Sequence, residues 1–176
     1  LELPYQAVTS TDLYLTHYLN DSANDPVMNR IRAQKLRNSE EDKVKIFFVP
    51  SYLNGDDGVL NMPYYDLLVG MDLTAFPSYY EPWGYTPLES LAFKVPTITT
   101  TLAGFGLWVK EHYNMNHPGI EVIHREDGDA SNVATAIAEW VKNYTQVGET
   151  EMQKDRDNAK DVSRIALWDN LINYYK

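Results

Sequence analysis

Short β-branched and aromatic runs alternate along the chain with segments whose apolar residues recur at helical spacing. Asn24-Asp25-Pro26 offers a cap and a proline at the first helical position, and Val27, Met28, Ile31 and Leu36 then fall on one side, predicting a helix over 25–37. Lys43-Val-Lys-Ile-Phe-Phe-Val-Pro50 reads as a buried parallel strand closed by proline, with a loop over 51–61 behind it. The pattern next predicts a helix from Pro63 to Val69, a strand over 72–77, an aromatic-rich loop over 78–85 and a helix from Thr86 to Phe93. A strand over 95–100, a glycine-led helix over 104–113 and a strand over 120–124 follow. Val133, Ala136, Ile137, Trp140, Val141 and Tyr144 form the apolar stripe of a helix over 130–144, and a last helix is expected from about 149 to 174. Residues 1–24 predict only a loose strand or loop and a polar turn.

Strands alternating with helices imply right-handed βαβ units. The expected fold class is therefore α/β, a Rossmann-like parallel sheet with helices on both faces, in one domain over 1–176. In open parallel sheets ligands bind beyond the carboxyl ends of the strands, which directs attention to the loops after Val49, Phe76 and Thr100.

Charge narrows the function classes. The 176 residues carry 15 Lys and Arg against 25 Asp and Glu, a net charge of −10. With no basic stripe, nucleic-acid and anionic-membrane binding are poor expectations. There is no cysteine, so disulfides, thiolate metal sites and a Cys nucleophile are excluded. His17, His112, His117 and His124 are scattered without ligand spacing, and Asp56-Asp57-Gly58 and Glu126 to Asp129 read as turns rather than calcium loops. Trp140 and Trp168 are expected in the core. No apolar run approaches the roughly 18 residues of a membrane span, and the first residues, Leu1 to Val8, have no basic n-region, so the expected home is the cytoplasm. A start at Leu1 suggests an excerpt of a longer protein.

The informative segment runs from Phe76 to Glu89. Pro82 biases Glu81 toward extended backbone, and Gly84 leaves room for close approach. Thr86 is expected as an N-cap, with Pro87 at the first helical position and Glu89 completing a capping box. A helix start beyond a parallel strand offers free N–H groups and a partial positive charge to an anion without any Lys or Arg. On spacing alone, Glu89 is either a cap or an acceptor for ribose hydroxyls, and Glu81 either a solvated carboxylate or a group facing a sugar.

Residues 78–89, Ser-Tyr-Tyr-Glu-Pro-Trp-Gly-Tyr-Thr-Pro-Leu-Glu, resemble the donor-site signature of eukaryotic-type glycogen synthases, a Glu-x7-Glu element. Asn24-Asp-Pro-Val-Met-Asn-Arg-Ile-Arg32, Lys43 to Pro50, Val95-Pro-Thr-Ile-Thr-Thr100, Gly104-Phe-Gly106 and the closing Leu167-Trp168 with Tyr174-Tyr175 are similar to family segments in family order. The resemblance implies the second, nucleotide-sugar-binding half of a GT-B enzyme, missing its first strand or strands. It implies transfer of glucose from UDP-glucose to the non-reducing 4-OH of an α-1,4-glucan, with retention and with neither metal nor cofactor. Carried over by position, Glu81 with the backbone of Trp83 and Gly84 would hold the glucose, the Tyr85 and Thr86 amides the diphosphate, Glu89 the ribose, and Tyr64 and Tyr52 the uracil.

The implied partners are UDP-glucose, a glycogen-like glucan, the first domain of the same chain and, in a homo-oligomeric parent, further copies. The family's basic pair that clamps the diphosphate has no counterpart here, so the excerpt is expected to be inactive by itself. Only Lys154 and Arg156 stand where animal and fungal members carry a regulatory arginine cluster, and Ser51 and Tyr52 replace common Glu and Phe. A non-catalytic nucleotide- or glucan-binding module, or a related GT-B enzyme using another sugar nucleotide, is the alternative.

Overall fold

Four residues, Thr97-Ile98-Thr99-Thr100, all fully buried, form the middle strand β2 (Thr97–Thr100) of a three-stranded parallel sheet. In the computed structural model, which describes residues 14–113 and 119–175, β2 is flanked by β1 (Thr74–Ala75) and β3 (Ile120–Ile123). The register pairs Thr74 with Thr97, and Thr97 with Ile120. The remaining elements in chain order are α1 (Pro26–Ala33), α2 (Tyr64–Leu68), α3 (Tyr85–Ala92), α4 (Gly104–His112), α5 (Ala130–Tyr144), α6 (Glu149–Ile165), α7 (Trp168–Leu171) and a 3-10 turn (Ile172–Tyr175). The α/β class expected from the alternation is what forms. The chain divides into two compact units, Leu1–Asp66 and Leu67–Lys176.

In the C-terminal unit, period-two alternation sends side chains to two cores. Ile120 and Val122 of β3 pack with Leu91 of α3, Phe105 and Val109 of α4, and Ala159 and Val162 of α6. Ile98 and Ile123 point the other way, against Val133, Ile137 and Trp140 of α5. Helices thus cover both faces, as a parallel sheet requires. Three of the buried hydroxyls pair with one another: the Thr74 hydroxyl lies 2.6 Å from that of Ser90 and 2.9 Å from that of Thr97, which donates to the Val95 carbonyl at 2.9 Å. This cluster ties α3 to the sheet through a side chain in its last turn.

In the N-terminal unit α1 begins as expected, with the Asp25 carboxylate accepting from the Met28 N–H at 2.8 Å and Pro26 next in line. It ends at Ala33 rather than 37, because Lys35 takes the left-handed conformation, φ 58°, that closes a helix. The strand expected over 43–50 does not form. Both backbone groups of Ile46 are taken by the Asn38 side-chain amide, at 2.7 and 2.9 Å, so no neighbouring strand can use them. Only Phe48 bridges, in parallel to Leu15, within a small cluster of Tyr14, Met28 and Ile31. The long last helix is also broken. Ala166 is buried in the α3/α4/α6 core, Leu167 is extended with ψ 151°, and α7 restarts from it. Trp168 is consequently exposed rather than buried. The reading of residues 1–13 and of His117 falls outside the described residues. Among those described, no helix is long and apolar enough to cross a membrane.

Thr97→Val is expected to lower stability by about 1–2 kcal/mol, the usual cost of a lost buried hydroxyl pairing. Thr135→Val on the exposed side of α5 should change it by less than about 0.5 kcal/mol. Urea denaturation compares the two, and equal midpoints would contradict the role given to the Thr74–Ser90–Thr97 cluster.

Candidate functional site

The loop leaving β1 reaches the start of α3 by way of the first turn of α4. Glu81 forms an isolated parallel bridge with Ala103, its N–H donating to the Leu102 carbonyl at 3.1 Å. Gly104 N–H donates to the Glu81 carbonyl at 3.0 Å and Phe105 N–H to the Trp83 carbonyl at 2.6 Å. The N–H groups at the start of α4, which a helix leaves without internal partners, are therefore spent on this loop. A side chain at Gly104 would put its Cβ 2.1 Å from the Pro82 carbonyl oxygen, so only glycine allows the approach. The Trp83 ring finishes the docking, edge-on to Phe105 at 5.7 Å and tilted against Trp108 at 5.9 Å. Glu81 is extended, as the following proline requires.

The start of α3 differs from the expected capping box. Its cap is Gly84, left-handed at φ 102°, with no side-chain cap, and the helix opens at Tyr85, so Thr86 and Pro87 lie inside the first turn. A cap needs non-helical backbone, and only glycine takes this conformation freely, so the turn is set two residues earlier than the Thr-x-x-Glu spacing suggests. Pro87 has no N–H. The open donors of this turn are thus the N–H groups of Tyr85 and Thr86, which have no hydrogen-bond partner among the described residues. The side chain of Glu81 lies against this turn, its Cγ 3.3 Å from where a Gly84 Cβ would stand. Glu89 is four residues beyond Tyr85, hence on the same side of α3 one turn further on, and is half-buried.

Glu81, Trp83, Gly84, Tyr85, Thr86 and Glu89 are therefore brought to one helix start. Trp83 and Tyr85 also border a cavity of about 840 Å³, lined with Leu88, Trp108, Trp168 and Tyr174; Glu81 and Glu89 are not among its lining residues. Tyr52 and Tyr64 belong to the N-terminal unit. Tyr52 is 93% exposed in a loop whose Asp57 accepts backbone N–H groups of Leu60, Val59 and Asn61, bonds that lower the Asp57 pKa. Tyr64 starts α2 against Tyr65, ring centroids 5.4 Å apart, its N–H donating to the Leu53 carbonyl at 2.9 Å.

Lys154 and Arg156 of α6 are both engaged. Arg156 donates to Asp72 at 3.0 Å and to the Met71 carbonyl at 3.1 Å, and Lys154 lies 3.8 Å from Glu151. Among the described residues no group of three or more His, Asp and Glu side chains could hold a metal ion. One residue of this region escapes the sequence reading. Arg125, just after β3, stacks on Tyr79 with its guanidinium 3.5 Å from the ring centroid. The available signal was its place at the carboxyl end of a parallel strand.

The glycogen synthase family model matches residues 7–176. The chain belongs to the glycogen synthase family. Similar curated relatives include glycogen (starch) synthase isoform 1 of Saccharomyces cerevisiae, 32% identical over 92% of this chain. The glycogen (starch) synthase of Caenorhabditis elegans is 35% identical over 88% of it, and the liver enzyme of Mus musculus 32% over 92%. The chain spans 23% of the length of each of these relatives. The family resemblance of residues 78–89 thus sits on a structural feature: the loop docked on α4 and the open first turn of α3.

Gly84→Ala forces a Cβ into the left-handed region and is expected to destabilise by about 1–2 kcal/mol. Thr86→Ala should cost less than about 0.5 kcal/mol, because no cap is lost and alanine favours a helix. Chemical denaturation decides; a larger loss for Thr86→Ala would restore the capping box.

Proposed function

We propose that this chain is the donor-binding domain, over 1–176, of a retaining glycosyltransferase that moves glucose from UDP-glucose to the 4-OH at a non-reducing glucan end. The observation that carries the reading is the open first turn of α3, with Glu81 packed against it and Glu89 one turn away. A chain of net charge −10 repels a diphosphate almost everywhere. Two unpartnered N–H groups at a helix start attract one.

In this reading the Tyr85 and Thr86 amides hold the diphosphate and stabilise the charge it gains as the bond to the sugar breaks. Fixed donors of this kind gain strength as negative charge develops and need no reorganisation. Glu81, with the N–H groups of Trp83 and Gly84, holds the glucose and offsets the positive charge developing at its anomeric carbon. The acceptor 4-OH attacks that carbon as its bond to the diphosphate oxygen breaks, and the departing oxygen takes the acceptor proton. Glu89 accepts hydrogen bonds from the ribose. The uracil contacts of Tyr52 and Tyr64 rest on the resemblance alone. The scheme uses no metal. The parent acts in the cytoplasm on a glycogen-like acceptor together with its own first domain, and this segment alone is inactive.

In the full-length protein Glu81→Gln is expected to lower turnover by about 100-fold or more while UDP affinity holds. Glu89→Ala should weaken UDP binding about tenfold, a loss of about 1.4 kcal/mol, with little change in stability because it caps nothing. Steady-state kinetics and calorimetric titration with UDP check both; equal losses in the two variants would contradict the division of roles. Turnover of ADP-glucose but not UDP-glucose would remove the donor assignment.

A further inference from the structure

Arg125 is 5% exposed, yet its guanidinium pairs with no carboxylate among the described residues and its Nε is buried without a partner. A buried charge without a counter-charge is costly, and an apolar side chain of similar length would fill the space without that cost. Stability therefore does not account for an arginine here. Its contacts lie within one loop. Nη1 donates to the Pro77 carbonyl at 2.5 Å, and the guanidinium lies under the Tyr79 ring. The Arg125 backbone is itself held, its N–H donating to the Thr101 hydroxyl at 2.9 Å and its carbonyl accepting from that hydroxyl at 3.3 Å. Beside it, the Thr100 hydroxyl donates to the Ser78 carbonyl at 2.9 Å.

The ends of β2 and β3 thus grip residues 77–79 from below, and the start of α4 grips the chain again at Glu81. Tyr80 alone lies between the two anchors, so the first fixes how the backbone enters the second. We propose that Arg125 is a positioning residue, which sets where the loop leaves the sheet and thereby where the Glu81 carboxylate stands relative to the first turn of α3. A planar guanidinium suits the task because it stacks flat on a ring while donating in its own plane, and lysine cannot do both. The proposal rests on the donor-site reading above.

The test uses the full-length parent enzyme carrying Arg125→Lys, and separately Tyr79→Leu, which removes the stack from an exposed position. Both variants are expected to lose ~10–100-fold in kcat, as a small misplacement near a reacting centre does. UDP affinity should stay within about threefold, since the α3 amides are untouched. Amide exchange at residues 78–81 should accelerate while α4 stays protected beyond its first turn. Unchanged kcat, or a kcat loss matched by equal losses in UDP affinity and thermal midpoint, would overturn the proposal. If Arg125→Lys does not fold, Tyr79→Leu decides alone by the same criteria. Exchange is read whether or not the enzyme turns over: unaltered exchange at 78–81 sinks the positioning role, whereas a wild-type parent that transfers no glucose from UDP-glucose sinks the donor-site reading instead.

Discussion

Two helix starts lie side by side in the C-terminal unit, and the structure depends on their being used differently. At α4 the first N–H groups go to the Glu81 and Trp83 carbonyls, which locks the loop in place. At α3, which that loop leads into, the first N–H groups meet no acceptor among the described residues. A helix start without acceptors is ordinarily capped or hydrated. Here the neighbouring helix is consumed as scaffold so that this one is presented, rigidly, beside a carboxylate.

The local irregularities gather around that arrangement. Gly84 is left-handed, Gly104 admits a carbonyl where any side chain would collide, and Arg125 is a buried charge without a carboxylate partner among the described residues. Each narrows sharply which residue its position accepts. That all three bear on one loop is the pattern expected where a fold holds a site in place. Away from the loop, Thr74, Ser90 and Thr97 satisfy one another, Arg156 is tied to Asp72 and Lys154 lies near Glu151.

How much was legible depended on whether local pattern and tertiary contact agreed. The stripe from Val133 to Tyr144 matches the observed bounds of α5, because Val133, Ala136, Ile137 and Trp140 also pack into the core or against it and Tyr144 is buried. Lys43 to Pro50 has the composition of a strand, but one asparagine took the hydrogen bonds of Ile46, a competition that propensity does not register. The break at Ala166 carries no proline or glycine and is imposed by packing. At the site, the motif pointed to a helix start near Glu81 and Glu89 but misjudged the cap, because Thr-x-x-Glu and a preceding glycine both mark such a start and only the backbone angle separates them. Arg125 was invisible, since its contacts at Pro77 and Tyr79 are 48 and 46 residues away in sequence.

The most direct test of the account is residue-resolved amide hydrogen exchange on the full-length protein with and without UDP. The account predicts new protection at Tyr85 and Thr86 on binding, and no change at Gly104 and Phe105, whose N–H groups are already bonded to carbonyls. Saturating UDP that leaves the amides of Tyr85 and Thr86 as exchangeable as before would contradict it.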